Sequence, residues 1–316
     1  MTAEIRVGTS GYYFKDWVGT VYPKGLSSRD YLSHYAASFD TVEINTTYYR
    51  IPEPGMFEGM LSKTPEDFVF VVKAPREMTH ERHKLSSAEA PFLAAIAPLI
   101  REGKLGGILA QFPYPFKANA QSIEHLKRVA DTFVGRDIPT NVEFRHDSWY
   151  RDEMFGELRS LGLGFVNVDL PKLAHLPRPS SIATSDIAYF RLHGRNQAMW
   201  FTHPTPSHRY DYVYADDELE AWAKHIKEIA AQVRRVFVFN NNCHLGSSFI
   251  DALKMKPLLG LSLPQPQTQD GGLFAPPSAE EQIKSFASAV ANARQAEKPA
   301  LDEFLRNQRN EAESST

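Results

Sequence analysis

Cysteine is nearly missing from this chain. Cys243 stands alone among 316 residues, so no internal disulfide can form. That fits a reducing, cytoplasmic setting. Long apolar runs are missing too. No window approaches the roughly 18 uninterrupted apolar residues of a membrane helix, so neither a span nor a membrane partner is expected. The opening Met1-Thr2-Ala3-Glu4 lacks the basic and then apolar texture of a secretory leader, and none is expected. Charge of one sign is not in excess either. Thirty-five Lys and Arg stand against 38 Asp and Glu, for a formal net charge of −3. Such a balance gives no global pull toward nucleic acid or an anionic membrane. Two catalytic signatures are absent as well. Gly8-Thr9-Ser10-Gly11 does not have the spacing of a dinucleotide-binding turn. No nucleophile elbow is visible, which argues against a serine hydrolase, and Cys243 beside His244 does not by itself make a dyad.

What the chain does have is an alternation of short β-rich runs with helix-length amphipathic segments. The candidate strands are residues 5–8, 41–45, 68–73, 107–112, 140–145, 165–169, 188–193 and 236–241. Helical patterns fill most of the gaps, at 29–38, 89–101, 121–132, 151–161 and 217–232, and another follows at 247–256. Eight such units predict an α/β fold, a (β/α)₈ barrel over residues 1–260, rather than an open doubly wound sheet. Residues 261–316 read as a C-terminal linker and helical tail. The linker is Pro/Gln-rich and breaks at Asp270-Gly271-Gly272. Ser278 opens a helix with Ile283, Phe286 and Val290 on one face. Pro299 is expected to separate it from a short helix at 301–306, and residues 310–316 to be disordered. The tail is expected to dock either on the barrel or on a protein partner.

Alternation along a strand sends every second residue into the barrel. The phase that faces Val42, Ile44, Phe70, Val72, Val142 and Phe144 outward points Glu43, Asn45, Lys73, Glu143 and Arg145 inward, with Gln111, Arg191 and His193. The same rule, applied to the sixth and eighth strands, predicts Asn167, Asp169, Val238 and Asn240 inside. The charged positions fall late in their strands, at the end where barrel enzymes work. Structural ion pairs, such as Asp169 with Arg191, account for any single one as well as catalysis does. The set as a whole argues for a site, because an apolar filling closes a barrel more cheaply.

Glu43, Lys73, Glu143, Asp169 and His193 are therefore the candidate acid–base residues. Arg145 and Arg191 suit a phosphate or carboxylate on the substrate, which guanidinium groups grip bidentately. Asn45, Tyr48, His80, Gln111, Trp149 and Asn240 complete the expected substrate contacts. Aromatic residues around the expected mouth suit a sugar or a base. No cofactor is predicted. A divalent metal on Glu143, Asp169 and His193 stays open, although cations offset the carboxylates one for one. The expectation is an enzyme, a hydrolase, isomerase or lyase, acting on a small anionic substrate. A metal-dependent phosphodiesterase acting on nucleic acid and a non-catalytic binding module are the alternatives, and nucleic acid is not favoured.

Several short motifs in register carry a family resemblance. They include Gly8-Thr-Ser-Gly11 with Trp17, Val42-Glu-Ile-Asn45 with Tyr48-Tyr49, and Phe70-Val-Val-Lys73 with Thr79-His80. Gln111-Phe-Pro113, Val142-Glu-Phe-Arg-His146 with Ser148-Trp149, Arg191-Leu-His-Gly-Arg195 and Phe239-Asn-Asn241 follow in order. In this order the chain resembles the domain-of-unknown-function 72 family, the YecE-like proteins, from about residue 5 to about residue 260. The resemblance implies a TIM barrel and no particular activity. Two departures stand out. Met199-Trp200 lies where the family commonly has a tyrosine, and Asp251-Ala252 where it often has Asn-Ala.

Overall fold

The computed structural model describes residues 3–263 and 279–314. Its strands are β1 (Glu4–Thr9), β2 (Thr41–Ile44), β3 (Val69–Lys73), β4 (Leu105–Gln111), β5 (Thr140–Glu143), β6 (Gly164–Asp169), β7 (Ile187–Leu192) and β8 (Arg235–Asn240). Each lies within two residues of its expected place. The helices are α1 (Tyr31–Ala36), α2 (Pro54–Leu61), α3 (Arg76–Thr79), α4 (Leu85–Arg101), α5 (Ala120–Phe133), α6 (Asp152–Ser160), α7 (Asp216–Ala230), α8 (Ser247–Leu258) and α9 (Ala279–Ser314). The connection between β6 and β7 carries no helix.

All pairings are parallel, in the order β1-β8-β7-β6-β5-β4-β3-β2. A parallel bridge between Ser10 and Glu43 brings the two ends of the sheet together, so the barrel is nearly closed. Gly8 makes that approach possible: a Cβ there would lie 2.4 Å from the carbonyl oxygen of Thr41. The helices form for ordinary reasons. In α5, Leu126, Val129 and Phe133 are buried on the sheet side, and the Asn119 side chain caps the first turn by accepting from Ser122 N at 2.9 Å. In α7, Asp216, Asp217 and Glu218 sit in the first turn, where the helix dipole favours anions.

An apolar plug fills the barrel early in the strands. Val69, Val71, Leu109, Ile187, Tyr189, Phe237 and Phe239 meet there with Val166 and Val168. Val42, Phe70, Ile108, Val142, Phe190 and Val238 belong instead to the layer between sheet and helices. Two strands thus run in the opposite phase to the expectation. In β6, Val166 and Val168 point inward and Asn167 and Asp169 outward. In β8, Phe237 and Phe239 point inward and Val238 and Asn240 outward. Parallel strands are buried on both faces, so Val-Phe-Val-Phe carries no phase. In β6 the outward polar residue is satisfied by the irregular connection that follows. Asn167 Oδ1 accepts from Ile182 N at 2.9 Å and Ser180 Oγ at 2.8 Å.

The tail folds back on the barrel. Phe286 meets Phe249 of α8 edge-on at 5.4 Å, Val290 is 2% exposed, and Arg294 pairs with Asp211 at 3.1 Å. The expected break at Pro299 does not occur: α9 is one helix from Ala279 to Ser314. Proline removes one donor and strains the preceding turn, at a cost of about 3 kcal/mol, yet the helix continues past it. Residues 310–314, expected to be disordered, are its last turn. The expected linker at 264–272 and the Ser278 cap lie outside the described residues. No described helix is long and apolar enough to cross a membrane.

Candidate active site

Above the apolar plug, the strand ends carry a layer of paired charges. Arg191 of β7 sits at its centre, 2% exposed. Its Nη1 donates to Glu143 Oε2 at 2.5 Å. Its Nη2 donates to Glu43 Oε1 at 2.7 Å and to Ser10 Oγ at 3.3 Å. Tyr189 Oη donates to the other Glu43 oxygen at 2.7 Å. Arg145 Nε comes within 2.5 Å of Glu143 Oε1, and His193 Nε2 lies 3.3 Å from the same oxygen. Neither contact has hydrogen-bond alignment. Asn241 Nδ2 donates to His193 Nδ1 at 2.7 Å, which leaves the imidazole proton on Nε2 beside Glu143. Buried charges persist only when paired, and both terminal nitrogens of Arg191 are used in the pairing.

This layer floors a cavity of about 840 Å³, a volume typical of small-molecule sites. Lys73, Arg145 and Arg191 line it, with Asn45, Gln111 and Asn241 between them. Glu43 and Glu143 do not line it; both are fully buried behind the cations. Lys73 Nζ donates to Gln111 Oε1 at 2.8 Å and sits 4.4 Å from the centre of the Tyr48 ring. Tyr12, Tyr13, Phe14, Tyr49, Met56 and Met60 form an aromatic and apolar wall. Tyr13 and Tyr49 are 52% and 78% exposed.

Burial and charge then separate the titrating groups. Burial, reinforced by Arg191 and partly opposed by Glu143 and Glu43, pulls the Lys73 ammonium down to about 7. Burial alone would raise Glu143, but Arg145 and Arg191 hold its carboxyl well below the usual range. Burial and then Arg145 push His193 down to about 3, and burial and then Lys73 push His80 down to about 4. At neutral pH Glu143 is therefore a committed anion and His193 a neutral ring. Among these groups, Lys73 is the one that changes charge near pH 7. Burial also lifts the Cys243 thiol to about 12, so it is no ready nucleophile.

The cavity floor thus brings together Glu43, Lys73, Glu143, His193, Arg145, Arg191, Asn45 and Gln111. Other expected residues lie elsewhere. Asp169 faces outward, where Arg195 Nε donates to its two oxygens at 2.8 and 3.1 Å and Tyr214 Oη donates at 2.7 Å. Burial raises its carboxyl against the pull of Arg195 and Tyr214. The Asp169–Arg191 pair and the Glu143–Asp169–His193 metal trio are therefore not assembled. Asn240 also faces outward, and its buried amide atoms have no partner among the described residues. Trp149, 1% exposed, is a packing residue: it stacks on Phe144 at 4.1 Å and donates to the Phe116 carbonyl at 2.6 Å. Tyr48 and His80, with rings 5.0 Å apart, back Lys73 without lining the cavity. Trp200, at the Met199-Trp200 departure, is buried, 5.9 Å from the Arg145 guanidinium and 5.5 Å from that of Arg209.

Sequence reasoning missed several residues at the site. Tyr189 was expected inside the barrel with Arg191 and His193 but not given a role, and Ser10, just after β1, was legible from the phase of that strand. Asn241 follows a strand whose phase was misread. His208, Tyr210, His244 and Glu297 come from loops and from α9, where barrel periodicity says nothing.

Known proteins resemble the chain over the barrel. The family model described as protein of unknown function DUF72 matches residues 6–271 and ends before α9. The chain is 30% identical over 273 residues to UPF0759 protein YunF of Bacillus subtilis, covering 81% of this chain and 95% of that protein. It is 28% identical over 190 residues to UPF0759 protein YecE of Escherichia coli, covering 58% of this chain and 65% of that protein. A solved DUF72 family protein from Thermotoga maritima superposes with a TM-score of 0.75 at 41% identity, covering 81% of this chain and 99% of that one.

Proposed function

The chain belongs to the DUF72 family, and from that premise we propose an enzyme that binds a small organic anion and moves a proton through Lys73. The observation that carries the reading is the split across the cavity floor. Lys73, Arg145 and Arg191 face the cavity, while the carboxylates that offset them are sealed behind. An incoming anion meets cations first, in surroundings poorer in water than the bulk.

Roles follow from which atoms are free. Both terminal nitrogens of Arg191 are engaged by Glu43 and Glu143, so it holds the layer together and contributes potential. Arg145 contacts Glu143 through Nε, which leaves its outer nitrogens to grip a phosphate or carboxylate. Gln111 orients the Lys73 amine, whose pKa of about 7 suits both directions of proton transfer. Glu43 and Glu143 act as positioning residues rather than as the proton acceptors first expected. Tyr13 and Tyr49 leave room for a flat or apolar portion of the substrate beside its anionic group. An isomerase, lyase or hydrolase would use such a floor. The reading places the enzyme in the cytoplasm, in keeping with its single, buried thiol.

Calorimetric titration with sulfate, inorganic phosphate and malonate tests the reading. Binding is expected, and Arg145→Met should weaken it about tenfold or more, the worth of one charge-assisted contact. Equal affinity in the wild type and R145M overturns it.

A further inference from the structure

We propose that His208, His244 and Glu297 form a site for a divalent metal ion of the zinc class, completed by the C-terminal helix at the mouth of the barrel. The three residues come from the turn after β7, the turn after β8, and α9. Their donor atoms all lie within 4.8 Å of one another. Glu297 Oε2 is 2.8 Å from His244 Nε2 and 3.9 Å from His208 Nε2. A tetrahedral ion with bonds near 2.0–2.1 Å holds its ligand atoms about 3.4 Å apart, so small side-chain movements suffice.

The surroundings of His208 resemble those of a ligating histidine. His208 Nδ1 bonds Thr205 Oγ1 at 2.8 Å, which fixes the ring and leaves Nε2 toward the cluster. His244 is 4% exposed, and its Nδ1 has no partner among the described residues. Glu297 is held in place by its own helix. Ile283, Phe286, Val290, Arg294 and Glu297 form one stripe of α9, and the first four pack on or pair with the barrel. Two imidazoles and one carboxylate select a borderline ion over magnesium or calcium, which take oxygen ligands. All three residues line the 840 Å³ cavity, so the remaining coordination positions open toward it. Three protein ligands and an open position are the pattern of a working zinc site. The second cluster of this kind, His146, Asp147 and His175, is a weaker candidate: His175 and Asp147 are 65% and 47% exposed in their side chains.

The inference does not depend on proton transfer by Lys73. It also sets this chain apart from the family pattern, because Glu297 lies beyond the matched residues 6–271.

Full-length protein, stripped with a chelator and dialysed, should bind one equivalent of Zn²⁺ by calorimetry. With Co²⁺ it should show visible d–d absorption. Glu297→Gln, at a half-exposed position, should leave the melting temperature of the apo protein unchanged and weaken Zn²⁺ binding about tenfold or more. His244→Ala should abolish the Co²⁺ spectrum, and His146→Ala should leave both signals intact. No Zn²⁺ binding, binding that E297Q does not alter, or binding lost in H146A would each overturn the proposal.

Discussion

Sulfate bound on the cavity floor should drive a proton onto Lys73. At pH 8 a lysine of pKa about 7 is roughly nine-tenths neutral. Each negative charge about 4 Å from Nζ, at an effective dielectric near 20, favours the ammonium by on the order of 4 kcal/mol. At 1.36 kcal/mol per unit, that lifts the pKa by about three units, to roughly 10. Binding at pH 8 should therefore take up about 0.9 proton per site, and at pH 6, where the amine is already charged, only about 0.1. Sulfate does not titrate in this range, so the uptake belongs to the protein. The assay is calorimetry in Tris and in HEPES at matched pH, because the difference in observed enthalpy divided by the difference in buffer ionisation enthalpy counts the protons. Lys73→Met should remove the uptake while keeping Arg145 and some affinity. Zero uptake at pH 8 in the wild type, or equal uptake in K73M, would refute the assignment.

Asp251 is buried on α8 with its carboxyl raised by burial to about 7, and its Oδ1 has no partner among the described residues. Its folded pKa exceeds the unfolded value, so the protonated form stabilises the fold below about pH 4 and that stability is lost as pH rises toward 7. Asp251→Asn should then stabilise at pH 8 by up to about 4 kcal/mol and by nearly nothing at pH 4, as chemical denaturation at the two pH values would report. Arg191→Met leaves Glu43 and Glu143 buried without their shared cation and should cost about 3–5 kcal/mol at pH 7. Part of that loss should return at lower pH, where Glu143, no longer held down by Arg191, protonates more readily, seen as a narrowing gap in melting temperature from the wild type. Trp149→Ala removes the stack on Phe144 and should cost about 3–5 kcal/mol in urea unfolding. Sulfate affinity should be unchanged, which separates packing from substrate contact.

The fold was legible because each strand combines β-rich composition with a bounded length, and the helices between them are amphipathic. The site was legible only where polar and apolar residues alternate. Val42-Glu43-Ile44 and Val142-Glu143-Phe144 state their phase, since one face must meet the helices. Val236-Phe237-Val238-Phe239 does not, because both faces are apolar and both are buried. In Val166-Asn167-Val168-Asp169 the alternation is real but its direction misleads. The polar face turns toward a helix-free connection that supplies hydrogen bonds, and toward Arg195, twenty-six residues after Asp169. Trp149 looked like a mouth residue because it follows a strand. Its ring instead fills the space beside Phe116 and Phe144, a contact between segments that no local pattern encodes. Glu297 lies on a stripe of α9 that is readable as amphipathic, but nothing in the stripe says which part of the barrel it covers.

The charges around the cavity tie the two proposals together. On the floor, Glu43 and Glu143 carry two negative charges against one each on Arg191 and Arg145, so those four groups cancel and Lys73 alone sets the net sign. Above pH 7 the floor is then close to neutral, and it becomes cationic only with the proton that a bound anion draws from solvent onto Lys73. Glu297, an acidic group 42% exposed, lines the same cavity and works against such an anion. The imidazoles of His208 and His244 stand beside it. A divalent cation held by all three would reverse the sign of that wall and turn a repulsive group into part of the anion's binding surface. Zinc should accordingly tighten sulfate binding in the wild type and leave it unchanged in E297Q, whereas a helix that merely packs there would give the same sulfate affinity with and without the ion.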